Sequence, residues 1–205
     1  MDINIISTPF SMIVNGPSSS GKTFFVKRIL RFREEMLSPV PTKIIYCYSK
    51  WQSSYLEMSG PIEFVEGIDY TIDKAHSYLI IFDDLMTSMN KKIMDLFISG
   101  RHERISVIFL THNLFYRNEF MRTISLNATY IVCFKSPRDS SSVRYLGQQL
   151  FPGNHKFLEE SFNDATTSSR YGYILIDMRG HIENKYRLRT NIFPDEILNV
   201  YFPLK

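Results

Sequence analysis

Residues 16–23, Gly16-Pro17-Ser18-Ser19-Ser20-Gly21-Lys22-Thr23, satisfy G-x-x-x-x-G-K-[ST] in full. The motif follows an apolar run, 10–15 (FSMIVN), and opens a helical pattern, 22–36 (KTFFVKRILRFREEM). Each residue type has a physical reason. Small side chains let backbone N–H groups close around phosphate oxygens, and a helix N-terminus adds the positive end of its dipole. Lys22 is long enough to reach β- and γ-phosphates, and Thr23 supplies a hydroxyl to Mg²⁺. A second apolar stretch, 77–84 (SYLIIFDD), ends in Asp83-Asp84. At such a place one carboxylate, assigned to Asp83, holds the water shell of Mg²⁺, and the next, Asp84, polarises an attacking water. Together these features predict a nucleoside triphosphatase. The guanine-reading N-K-x-D is absent, so ATP is the expected nucleotide. The D-x-x-G from Asp177 to Gly180 follows a late strand where no nucleotide switch belongs.

A third segment, 100–113 (GRHERISVIFLTHN), offers a sensor and a cation. Its strand, 105–110, runs into Thr111-His112-Asn113. If it lies beside the strand ending at Asp83, these side chains face the γ-phosphate, and His112 and Asn113 are the candidate sensors. Arg101 and Arg104 precede the strand. An arginine there can stabilise transition-state charge in a neighbouring subunit. With one nucleotide site per chain, that requires an oligomer. The sequence has no arginine-rich lid insertion, and Asp84 is suited to activating water, so hydrolysis is favoured. A nucleoside or nucleotide kinase stays open as a second reading, and a nucleotide-binding regulatory module with little turnover as a third.

The elements needed to place these residues read as strands alternating with helices. Strands are expected at 10–15, 43–48, 77–84, 105–113 and 129–134, with a late strand pair at 171–177 and 185–190. Helices are expected at 22–36 and at 88–99, the latter capped by Ser88 and ended by Gly100. The polar patch 136–142 (SPRDSSS) reads as a loop and a helix start. The early strands are continuously apolar, the pattern of a sheet covered on both faces by helices. The fold class is therefore α/β, with a mostly parallel central sheet flanked by helices. Ligands in such folds sit at the carboxyl ends of strands.

The chain has 205 residues, enough for one domain, 1–205, with a sizeable core. It is 44% hydrophobic and 22% charged, which excludes a disordered chain. A net charge of +3 permits nucleic-acid binding without arguing for it. Basic residues recur at 27, 28, 31 and 33, and at 179, 185, 187 and 189. Arg187 and Arg189 would share one strand face, a candidate phosphate-tracking stripe. Cys47 and Cys133 lie in apolar strands and read as two buried thiols. The five histidines lack metal-ligand spacing. No apolar run approaches a membrane span, and the first residues lack the features of a signal peptide. The sequon Asn127-Ala128-Thr129 reads as chance. Trp51 and Gln52, just beyond the 43–48 strand, could meet a nucleotide, a neighbour or the core.

The sequence resembles the HerA/FtsK-type genome-packaging ATPases of double-stranded DNA viruses and virus-like transposons, particularly the Polinton and adintovirus kind. The resemblance is carried by GPSSSGKTFFVKRIL, KIIYCYSKWQSSYLEM, IEFVEGI, LIIFDDLM, SGRHERISVIFLTHNLF, YGYILIDM and RLRTNIFP, which in order cover most of 11–194. It implies a RecA-like P-loop domain, with ATP and Mg²⁺ as cofactors, assembled into a homo-oligomeric ring. The implied partners are double-stranded DNA and viral capsid or portal-vertex proteins. The implied place is inside the infected host cell, nucleus or cytoplasm, with transient capsid association. Two residues depart from the family pattern, which has Asp-Glu where this chain has Asp83-Asp84, and commonly Thr-Gln-Asn where it has Thr111-His112-Asn113. The shorter acid must reach farther. An imidazole can donate and accept, but unlike an amide it titrates near neutral pH.

Overall fold

The computed structural model describes residues 5–116, 118–136 and 141–203. In chain order the strands are β1 (Ile6–Ser7), β2 (Ser11–Asn15), β3 (Leu37–Ser38), β4 (Lys43–Tyr48), β5 (Ile62–Glu66), β6 (Tyr78–Asp83), β7 (Ile105–Thr111), β8 (Tyr130–Phe134), β9 (Tyr173–Asp177), β10 (Leu188–Thr190) and β11 (Asn199–Tyr201). The α-helices are α1 (Lys22–Arg31), α2 (Arg33–Met36), α3 (Lys91–Ser99), α4 (Glu119–Asn127), α5 (Ser141–Leu150) and α6 (His155–Thr167). Nine strands form one sheet in the order β11-β10-β9-β8-β2-β7-β6-β4-β5, and β1 and β3 pair apart from it. From β8 to β5 every pairing is parallel; β8-β9, β9-β10 and β10-β11 are antiparallel.

Both faces of the sheet are covered. Strand side chains alternate between two cores. Ile13, Ile80, Phe82, Val107 and Phe109 pack on one face with apolar side chains of α3–α6. Met12, Val14, Leu79, Ile81, Ile108 and Leu110 pack on the other with Phe25, Val26, Ile29 and Leu30 of α1. Strands β2, β6, β7, β8 and β9 are buried along their whole length, as their continuous apolar character predicts.

The local differences from the sequence reading have physical causes. The 22–36 helix breaks at Phe32, whose ring leaves the helical path and lies beside Phe193 at 6.3 Å. Helix α3 is capped by Asn90, whose side chain accepts from the Ile93 amide at 3.2 Å; Ser88 instead ends a 3₁₀ turn. Gly100 continues into a second 3₁₀ turn, and Arg104, at φ 58°, makes the left-handed turn into β7. The strands 77–84 and 105–113 end at Asp83 and Thr111, so the polar residues beyond lie in loops. Residues 137–140 of the SPRDSSS patch lie outside the described residues, and a helix does begin at Ser141. The strands β1, β3, β5 and β11 and the helices α4 and α6 have weak or short patterns that were not legible. Cys47 and Cys133 are both buried; burial pushes the Cys47 thiol up to about 12.

The proposed stripe at 187 and 189 is not a surface. Strand β10 starts at Leu188, and Arg189 is 3% exposed. Its guanidinium donates to the fully buried Asp177 carboxylate at 2.7 Å. Arg179 grips the same carboxylate through Nε (2.9 Å) and Nη2 (2.6 Å), and Arg187 donates to the Asp177 carbonyl at 2.5 Å. These arginines clamp the antiparallel end of the sheet. Removing the carboxylate leaves two guanidinium groups without their anion. Asp177→Ala should therefore cost about 3–5 kcal/mol, read as a fall in the urea midpoint at unchanged m-value.

Candidate active site

Loop 16–21 leaves the carboxyl end of β2, the middle strand of the nine-stranded sheet, and enters α1. Ser19 (φ 61°) and Gly21 (φ 110°) both sit in the left-handed region, so successive amides turn inward as a nest. Gly21 is required there twice over. Its φ strains any other residue, and a Cβ would stand 2.9 Å from the Tyr171 ring. At Gly16 a Cβ would meet both Phe134 Cβ and Ser20 Oγ at 2.7 Å. The Ser20 hydroxyl is buried with no hydrogen-bond partner among the described residues. A concave row of amides, an unmatched hydroxyl and a helix N-terminus fit a phosphate group.

Lys22, the first residue of α1, is 7% exposed. Its ammonium donates to the carbonyls of Gly16 (2.7 Å) and Pro17 (2.9 Å) and lies 3.2 Å from His112 Nδ1. Burial lowers its pKa to about 8, against the opposing pull of Asp83 and Asp84.

Strand order brings the remaining groups in. β7 lies between β2 and β6, with Asn15 in register with Thr111 and Leu110 with Asp83. The Gly16 amide donates to the Thr111 carbonyl at 3.1 Å, tying the loop to the end of β7. Asp83 is 4% exposed, and its Oδ2 accepts from the hydroxyls of Tyr46 (2.7 Å) and Tyr55 (3.0 Å). Burial, reinforced by Asp83, raises the pKa of both phenols, so they remain donors. Asp84 takes a left-handed conformation (φ 55°), which Asp tolerates better than most non-glycine residues. Its Oδ1 lies 3.3 Å from His112 Nε2. His112 thus bridges the phosphate-loop lysine and the second acid. Nδ1 also lies 3.3 Å from the Gly16 carbonyl, so the tautomer sets whether it accepts from the Lys22 ammonium or donates to that carbonyl.

The carboxylate of Asp83 and the hydroxyl of Thr23, the second residue of α1, are hard oxygen donors of the kind Mg²⁺ takes. Among the described residues no group of three or more His, Cys, Asp or Glu could hold a metal ion. A small donor set suits Mg²⁺, which is completed by phosphates and water.

Other expectations fare differently. Thr111 is fully buried, its hydroxyl 3.1 Å from both Met86 Sδ and the Asn113 carbonyl, which compete for its one proton. Asn113 Oδ1 accepts from the Phe115 amide at 2.9 Å, which shapes the loop. Even so, Asn113 lines, with Pro17, Ser18 and His112, a cleft of about 570 Å³ over the phosphate loop. Arg101 and Arg104 do not join the site. They precede β7, whereas the site lies beyond its other end, about 20 Å away at the usual rise per residue. Arg104 donates to the Lys74 carbonyl at 2.5 Å. Two basic positions of α1 are also engaged: Lys27 pairs with Glu57 at 2.6 Å, and Arg28 with Asp195 and Glu196, while Arg31 is exposed. Trp51 packs edge-on to Tyr48, Tyr55 and Phe64 and is half exposed.

Tyr46 and Tyr55 were missed by sequence reasoning. Tyr46 sits inside an apolar strand, and Tyr55 lies in the short 3₁₀ turn 53–57, so neither belongs to a spacing pattern. No helix among the described residues is long and apolar enough to cross a membrane.

The sequence profile of the family described as Poxvirus A32 protein matches residues 39–178, and the chain belongs to that family. No curated protein matches it in sequence. Among the solved structures that share its fold are two of the genome packaging NTPase B204 from Sulfolobus turreted icosahedral virus 2. In one it is bound to ATP-gammaS (12% identity, TM-score 0.51, 100% of each chain covered). In the other it is bound to AMPPCP (13% identity, TM-score 0.55, 96% of this chain and 99% of that chain covered). The α/β fold with a large, mostly parallel sheet is thus shared with that NTPase.

The buried ammonium of Lys22 has a measurable cost. Its folded pKa, about 8, lies below the ordinary 10.5, so the penalty is fully present below pH 8 and vanishes as pH rises toward 10.5. Lys22→Met should raise the urea midpoint at pH 7, and the gain should shrink between pH 8 and 10. A gain independent of pH would mean that the charge is not its source.

Proposed function

We propose that this chain is an ATP-hydrolysing motor subunit that translocates double-stranded DNA into a viral capsid. One observation carries the reading: a complete phosphate loop faces two strand-end acids across the end of an intervening strand, in a chain of the Poxvirus A32 family. The likeness to a packaging NTPase bound to ATP analogues supports it. The sequence resemblance to HerA/FtsK-type and Polinton-like packaging ATPases points the same way.

In this reading the amides of 16–21 and the Lys22 ammonium bind the phosphates. Thr23 and Asp83 would hold Mg²⁺, which when bound neutralises charge on β- and γ-phosphate oxygens. Tyr46 and Tyr55 fix the orientation of Asp83. Phosphate draws Lys22 off the carbonyls of Gly16 and Pro17, and with it the ammonium that faces His112 Nδ1. His112 and Asn113 then respond to the γ-phosphate, and Asp84 orients the attacking water. Arg101, with Arg104 second, acts on the nucleotide of a neighbouring subunit. Their position at the far end of β7 excludes action on the chain's own site and suits a head-to-tail ring. The chain works as one domain, 1–205, inside the infected cell. Its partners are double-stranded DNA and capsid or portal-vertex proteins. The DNA-contacting surface lies outside the clamped arginines 179, 187 and 189.

ATP hydrolysis per subunit should rise with protein concentration and again with long double-stranded DNA. Lys22→Ala should abolish turnover, and Arg101→Ala should lower it by orders of magnitude. Mixing the two variants should restore part of the activity, because each supplies what the other lacks. No rescue at any ratio would exclude a site shared through Arg101. A flat, DNA-indifferent rate with transfer to a small acceptor would establish the kinase reading instead.

A further inference from the structure

We infer that the aromatic cavity on the β8–β9 side of the phosphate loop is the seat of the nucleotide's purine base. This rests on the reading of 16–23 as the phosphate site. Strand order gives the triphosphate a direction. Asp83, Asp84 and His112 stand at the ends of β6 and β7, on one side of β2. A γ-phosphate aimed at them leaves the nucleoside on the other side, toward β8 and β9.

A cavity of about 320 Å³ lies there, and Gly21 itself lines it. That volume falls within the range of about 300–1,000 Å³ typical of small-molecule sites. Its floor is aromatic: Phe25 meets Tyr173 at 4.9 Å and Phe193 at 5.3 Å, both edge to face. At its mouth Phe24 and Tyr171 lie 5.4 Å apart, tilted by 39°, and the Arg170 guanidinium sits 5.3 Å from the Tyr171 ring centroid. Phe24 is 47% exposed, so part of its ring is open at the cavity. Tyr171 is also the ring that covers Gly21, so it joins the phosphate nest to the cavity. The polar lining comprises Arg28, which is paired with Glu196, together with Ser169, Arg170 and, from the segment after β10, Asn191. Flat rings hold a base by stacking, which every base offers and the larger purine system satisfies best.

The test measures affinity for Mg·ATP by calorimetry and for tripolyphosphate, which has no base, by displacement of ATP. The variants are Phe24→Ala, at a half-exposed position, and Tyr171→Leu, which keeps bulk against Gly21. Each should weaken ATP about 5- to 150-fold, the span that base–aromatic stacking carries. Tripolyphosphate affinity should stay within about twofold. Unchanged ATP affinity in both variants, with wild-type phosphate binding intact, would overturn the base site alone. An equal loss of ATP and tripolyphosphate would also overturn it, by showing that these rings only support the loop. If tripolyphosphate fails to displace ATP from the wild-type protein, the phosphate-loop reading itself falls.

Discussion

The site is organised by the hydrogen-bonded register of three parallel strands, β2, β7 and β6. Because β7 runs between the other two, the loop that follows it emerges between the phosphate loop and the acidic strand end. His112 can then touch both Lys22 and Asp84, and the Gly16 amide can bond to Thr111. A direct β2–β6 pairing would bring the lysine and the acids together with no group between them. A one-residue slip of β7 would turn His112 to the opposite face. Full burial of these strands on both faces makes such a slip costly, so the core fixes the active-site geometry at a distance.

The same arrangement explains the electrostatics. The Lys22 ammonium is desolvated, satisfied by two loop carbonyls and attracted by two carboxylates. A buried cation in that setting is matched more fully by a phosphate than by neutral carbonyls. The protein thus holds part of its anion-binding energy as an unfavourable charge in the free state. At the other end of the sheet the opposite device is used. Asp177 is matched within the chain by Arg179 and Arg189, and serves stability rather than ligand binding.

Sequence reasoning went furthest where residue types are constrained over short spans. The 16–23 loop, the acids after β6 and the polar end of β7 each lie within a few residues, so pattern and chemistry coincide. The alternation of continuous apolar strands with helices was enough for the fold class. What escaped depends on strands meeting in space. Tyr46 and Tyr55 reach Asp83 from other elements, and the cavity rings come from α1, β8, β9 and the segment after β10. Arg189 shows the reverse error. Alternation along a short strand suggested a surface stripe, while the antiparallel pairing of β10 with β9 buries that face beside Asp177.

The contact between Asp84 and His112 joins the two positions at which this chain departs from the pattern it resembles. A carboxylate shortened by one methylene sits on a left-handed backbone turn, and a ring reaches 3.3 Å to meet it. A glutamate placed on that turn, or a glutamine placed opposite it, would alter the length of the bridge from one side only. The two positions are therefore coupled physically: a change of side-chain length at either one alters a contact that both residues make.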